Sequence, residues 1–89
     1  MQGTFNGLLL KRIIALKSCG TMSGMTLTRF RVLGKSNREL EERLWLKAPA
    51  LLILSSEEVE GTLVHYSADL RGGFYEITIE SKGYVERDY

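Results

Sequence analysis

Few of this chain's residue types could carry out covalent or metal chemistry. There is one histidine, His65, and one cysteine, Cys19. A zinc site needs about four such ligands, so neither residue makes one, and a lone cysteine closes no internal disulfide. Ser55-Ser56-Glu57-Glu58 sets hydroxyls beside carboxylates without a histidine base, and it reads as an acidic exposed loop. No glycine-rich phosphate loop and no nucleophile elbow is present, so the expectation is a binding protein with no enzymatic activity, cofactor or metal. The remaining chemistry is electrostatic. Lys11, Arg12, Lys17, Arg29, Arg31, Lys35 and Arg38 fall within the first 38 residues, which contain no carboxylate, while all eleven acids lie at Glu39 or later. Those 38 residues carry +7 and the remainder −6, within a net charge of +1. Such asymmetry points the basic part toward a polyanion; the alternative is a set of ordinary solvated faces.

Eighty-nine residues, 44% hydrophobic and 26% charged with a single proline, suit one folded domain spanning residues 1–89. No apolar run is long enough for a membrane helix, and the N-terminus lacks the series of features that marks a signal peptide. A cytoplasmic location is the default expectation.

The elements that must position the basic residues are read from periodicity. Over residues 6–18, Leu9, Leu10, Ile13, Ile14 and Leu16 share one side of a helical wheel, with Asn6 as cap and Gly20 as terminator, which predicts a first helix. Strand is the competing reading, because Leu8, Leu10, Ile14 and Leu16 also alternate. Residues 25–33 fit a short second helix but contain several β-favouring side chains. Ser36 and Glu39 have capping-box spacing, so a third helix is expected from Asn37 to about Lys47, ended by Pro49, with Leu40 and Leu44 pointing inward. Trp45 is then either packed under the following hairpin or offered to a partner. Residues 51–54 suit a brief strand or a linker packed on the core. Residues 62–67 and 74–80 predict a hairpin turning through 68–73, with Tyr75, Ile77 and Ile79 on its buried face.

Three helices followed by a hairpin, with Gly34 and Ser36 between the second and third helices and Tyr75, Ile77, Thr78, Lys82 and Gly83 along the last strand, resemble the winged helix-turn-helix family. Glu39, Glu41 and Glu42 on the third helix, Ala50 before the first wing strand, and the longer interval to Lys82-Gly83 depart from its pattern. The resemblance implies an α+β winged helix-turn-helix fold that binds double-stranded DNA, sequence-specifically or architecturally, in transcriptional regulation. Lys35, Ser36, Asn37 and Arg38 would lie nearest the groove, Lys11, Arg12, Arg29 and Arg31 would meet phosphates, and Arg71 would sit at the wing tip. A homodimer is also compatible with it. The runner-up is a winged-helix module for protein–protein contact in a larger assembly, anchored by Trp45 and Tyr84. The third reading is a small all-β or α+β binding domain with residues 8–17 and 25–33 as strands.

Overall fold

The computed structural model describes residues 1–35 and 37–83 and the backbone of Arg87–Asp88. It overturns the α+β winged helix-turn-helix expectation. Eight strands form one antiparallel sheet in the order β2-β1-β5-β6-β7-β4-β3-β8, and the described residues contain one helix, α1, of four residues. In chain order the strands are β1 (Gly3–Phe5), β2 (Leu8–Leu10), β3 (Ile13–Gly20), β4 (Met25–Leu33), β5 (Pro49–Leu54), β6 (Glu58–Asp69), β7 (Phe74–Lys82) and β8 (Arg87–Asp88); α1 is Arg38–Glu41.

The expected first helix fails at Asn6. This residue does not cap a helix: Asn6 and Gly7 have φ of 47° and 85° and form the two-residue connection of a hairpin that pairs Phe5 with Leu8. Left-handed backbone at both central positions matches the twist of the flanking strands, and Asn-Gly adopts it at little cost. The Asn6 side chain then ties the turn to β5, its Oδ1 accepting from Leu51 N–H at 2.8 Å. Downstream, Leu10, Ile13, Leu16 and Ser18 are buried, and the bulge between Ile13 and Ala15 absorbs the break in alternation that resembled a helical period.

Residues 25–33 are strand for a simpler reason. Thr26, Thr28, Phe30 and Val32 point inward, while Met25, Leu27, Arg29, Arg31 and Leu33 point outward, a strict period of two. The pattern is hard to see in the sequence because two of the four inward residues are threonines.

β2 and β3 are separated only by Lys11 and Arg12, and they act as one bent strand. Leu10 pairs with Gly3 of β1, Ile13 N–H donates to Met1 O at 2.9 Å, and Leu33 N–H at the end of β4 donates to Arg12 O at 2.9 Å. The hydrogen-bonded ring β1, β2–β3, β4, β7, β6, β5 is thereby closed, a small six-membered barrel, with β8 laid along the outer half of β3 at Lys17 and Ser18.

The third-helix expectation shrinks to a single turn. Asn37 is the cap, its Oδ1 accepting from Leu40 N–H at 3.2 Å, so the start lies one residue later than the capping box implied; Ser36 is outside the described residues. The turn tightens at once, with Arg43 N–H donating to Leu40 O and Leu44 N–H to Glu41 O. Lys47, at φ 66°, takes the chain out of it before Pro49. Leu40 and Leu44 point inward as expected and close one end of the barrel. Trp45 does not pack beneath the hairpin: it is exposed, its Nε1–H donating to Glu42 O at 2.7 Å.

The barrel interior holds Phe5, Leu16, Phe30, Leu52, Leu63, Ile77 and Ile79, all almost wholly buried, with the Phe5 and Phe30 rings tilted at a centroid distance of 5.9 Å. Toward the end opposite α1 it turns polar: Ser18 Oγ and Thr28 Oγ1 share a buried hydrogen bond of 2.7 Å, and Thr26 Oγ1 donates to Gly83 O at 2.6 Å. Thr28→Val keeps the shape but removes a buried hydroxyl partner. We expect it to cost about 1–2 kcal/mol, read as a lower urea midpoint with unchanged slope.

The β6–β7 hairpin appears where expected, with Tyr75, Ile77 and Ile79 facing inward. β6 is longer than expected, beginning at Glu58, and therefore takes in part of the stretch read as an acidic loop. A bulge between Leu63 and His65 shifts the inward positions from odd numbers to even ones, so His65 aligns with outward-facing Thr78 and Tyr66 with inward-facing Ile77. Beyond the bulge β6 stays paired with β7, which is itself laddered to β4, and Val64 through Leu70 are all exposed.

Candidate nucleic-acid interface

The ladders align side chains across the outer face of β3, β4, β7 and β6. One row runs Lys17, Arg29, Thr78, His65, and the next Ala15, Arg31, Glu76, Ser67. Alternation points every one of these away from the core. Arg29 and Arg31 stand two residues apart on β4, in neighbouring rows, with Glu76 directly opposite Arg31.

Glu76 braces both arginines. Its Oε1 lies 3.5 Å from Arg29 Nε and its Oε2 3.0 Å from Arg31 Nε. The carboxylate is mostly covered, its side chain 18% exposed, while Arg29 and Arg31 are 64% and 47% exposed. Arg31 is further held by Phe74, whose ring centroid lies 4.9 Å from the guanidinium carbon. Both ion pairs run through Nε, which leaves the four Nη hydrogens of each guanidinium to bind another acceptor. Three cations, Lys17, Arg29 and Arg31, thus stand together here, with the Glu76 carboxylate between the arginines and the β8 backbone at Asp88 paired with Lys17.

The structure places the other expected contacts separately. Lys11 and Arg12 are exposed at the β2–β3 junction where the barrel closes. Lys35 lies in the β4–α1 connection, whose Gly34 N–H donates to Gly73 O at 2.7 Å, so this connection sits against the β6–β7 turn that carries Arg71. Between them is a groove of about 350 Å³ bordered by Gly34 and Lys35 on one side and by residues 68–70 and 73–75 on the other. Asp69 Oδ1 accepts from Gly72 N–H at 2.7 Å and shapes that turn. Asn37 serves the fold and is not free to read a base: its side chain caps α1, and its N–H donates to Tyr75 Oη at 2.8 Å. Arg38 pairs with Glu42 at 3.4 Å along α1 and is open to solvent. A one-turn helix backed by Glu39, Glu41 and Glu42 cannot act as the inserted recognition helix that the winged-helix resemblance implied.

Sequence reasoning named Arg29 and Arg31 but missed Lys17, Glu76 and Phe74 as parts of the same face. The signal was present in the period-two pattern of residues 25–33, since a strand sends Arg29 and Arg31 to one side together. Among the described residues, no three His, Cys, Asp or Glu side chains come together as a metal-binding group, and no helix is long and apolar enough to cross a membrane. Comparison with protein-family models, with curated proteins and with solved structures returns no match.

Proposed function

We propose that this barrel is a nucleic-acid-binding module that meets the phosphate backbone with the outer face of β3, β4 and β7. The observation that carries the reading is the register that brings Lys17, Arg29 and Arg31 onto one exposed face, with the arginines held by Glu76 and Phe74. Fixed guanidinium groups lose less side-chain freedom on binding than free ones, and they suit phosphate geometry. Lys11 and Arg12 extend the charge around the barrel. Contact of this kind positions a nucleic acid and contributes no base-specific readout by itself.

Anisotropy titration of labelled duplex and single-stranded DNA at 50 and 200 mM salt tests the proposal. Three phosphate contacts give an expected slope of about −2.7 in log K against log salt for duplex, or about −2 for a single strand. The same titration with both strand forms identifies the preferred one. No binding of either form at the lower salt overturns the reading.

A second reading, contact with another protein, is favoured by Trp45 and Leu46. They stand side by side and are 68% and 58% exposed, and exposed tryptophan is a frequent anchor of protein interfaces.

A further inference from the structure

We infer that two copies of this chain associate by antiparallel pairing of the β6 edge beyond its bulge, with Ser67 opposite Ser67 of the second copy. β5 accompanies β6 only as far as the pair Pro49–Thr62, and the next contacts on that side are Lys47 N–H to Leu63 O and Leu63 N–H to Ala48 O. From Val64 to Asp69 the strand is paired with β7 alone among the described residues. This six-residue edge contains no lysine, arginine or proline, the residues that commonly guard an edge against pairing. It instead exposes Val64 and Tyr66, with exposed Leu70 just beyond it in the turn.

Its own geometry sets the register. A two-fold axis normal to the sheet preserves inner and outer faces, so opposed residues must share a face, and one residue must stand opposite itself. Centring on His65 or Tyr66 would bring the second strand against Leu63, whose N–H and C=O already bond to Ala48 and Lys47. Centring on Ser67 keeps a five-residue pairing, His65 to Asp69, within the open edge, whereas centring on Ala68 leaves only Ser67 to Asp69 paired there. His65 then stands opposite Asp69 of the second copy, so that an imidazole N–H meets a carboxylate on the outer face. On the inner face Tyr66 stands opposite Ala68, a large side chain against a small one. Val64 and Leu70 meet at the two ends. The occupant is therefore a second copy, because the edge is complementary to itself in hydrogen bonding and in size.

The same axis turns both outer faces to one side. A continuous sheet of β3, β4, β7 and β6 from each copy would then double the face containing Lys17, Arg29 and Arg31. The pairing itself does not depend on what that face binds.

Cysteine placement tests the register. In a Cys19→Ser background, Tyr66→Cys, Ser67→Cys and Ala68→Cys are oxidised mildly and the fraction of covalent dimer is measured. Opposed residues lie roughly 4.5–5.5 Å apart at Cα, within the range a disulfide spans, so Ser67→Cys is expected to cross-link in high yield. The two neighbours, each opposite a different residue, are expected to cross-link poorly. Sedimentation equilibrium on the unmodified chain should show mass rising toward two chains with concentration, and His65→Asp should weaken that association at least tenfold with an unchanged thermal midpoint at concentrations where both chains are monomeric. A chain that stays monomeric at every concentration overturns the dimer. Strongest cross-linking at Tyr66→Cys or Ala68→Cys overturns the register.

Discussion

Gly61→Ala is expected to destabilise the barrel by about 3 kcal/mol or more, a loss of the size produced by overpacking against rigid backbone. A methyl group at Gly61 would overlap the carbonyl oxygen of Glu80 and lie 2.8 Å from its carbonyl carbon and 3.0 Å from Ile79 Cγ2. Flexible side chains can move aside from such a contact, whereas the β7 backbone is held in its ladders with β4 and β6. Gly61 pairs with Ala50, and both face inward, so the two smallest inner-face side chains of β5 and β6 lie side by side where the sheet curls toward β7. For a domain of this length, a loss of that size lowers the thermal midpoint by roughly 12–24 °C, measurable by circular dichroism at a single wavelength. Gly7→Ala is the useful contrast. Its added methyl meets nothing within 4 Å, although φ of 85° strains any side chain there, so its cost should be smaller, about 1–2 kcal/mol. A Gly61→Ala midpoint no lower than that of Gly7→Ala would mean that β7 is less tightly held than its ladders indicate.

The same Ala50–Gly61 pair shows why the fold was only partly legible. In a winged-helix register Ala50 is an oddity, standing where a glycine is common; in the barrel it is the small partner that close curvature demands. The β6–β7 hairpin was legible because Tyr75, Ile77 and Ile79 alternate with polar residues and the intervening turn contains Gly72 and Gly73. The N-terminal half was not, because three local signals have two readings each. Asn6 is a good helix cap and, followed by Gly7, a better hairpin turn. Leu9, Leu10, Ile13, Ile14 and Leu16 fit a helical stripe only while the bulge at Ile13 and Ala15 is unknown. Thr26 and Thr28 hide the inward face of β4 because their hydroxyls are satisfied inside the barrel, Thr28 by Ser18 and Thr26 by Gly83 O. Local propensity in residues 25–33 is ambiguous, with several β-favouring side chains in a segment that also fits a short helix, and tertiary pairing with both β3 and β7 makes it a strand.

The candidate site was legible as charge but not as geometry. The 38-residue stretch without a carboxylate is plain in the sequence, yet its cations are dispersed: Lys11 and Arg12 at the closure of the barrel, Lys35 at the groove, Arg38 on α1. Only Lys17, Arg29 and Arg31 share a row or adjacent rows of one face. Their acidic brace, Glu76, comes from the carboxylate-rich half of the chain, 45 residues beyond Arg31, so no local pattern could have associated them. The strand ladder does so by placing Arg31 directly opposite Glu76.

That brace yields a pair of substitutions with opposite expected effects. If the face binds a nucleic-acid backbone, Lys17→Glu, Arg29→Glu and Arg31→Glu together remove three phosphate contacts, which on a duplex is about 2.7 units of salt slope and hence an affinity loss of roughly 10²–10³-fold near 0.1 M salt. Glu76→Gln acts the other way. It leaves the arginines in place while removing the one carboxylate that both contact, so duplex affinity should rise about threefold to eightfold, the weight of one added positive charge on the same scale. The competing effect is loss of order, since arginines released from Glu76 pay more side-chain entropy on binding. Charge should win for Arg31, because its stacking on Phe74 survives the change. Anisotropy at matched salt measures both variants, with thermal unfolding to establish that each remains folded. A Glu76→Gln variant that binds more weakly than the unmodified chain would show that the carboxylate serves the interface by holding the guanidinium groups in position. Indifference to the triple charge reversal would remove this face from the interface altogether.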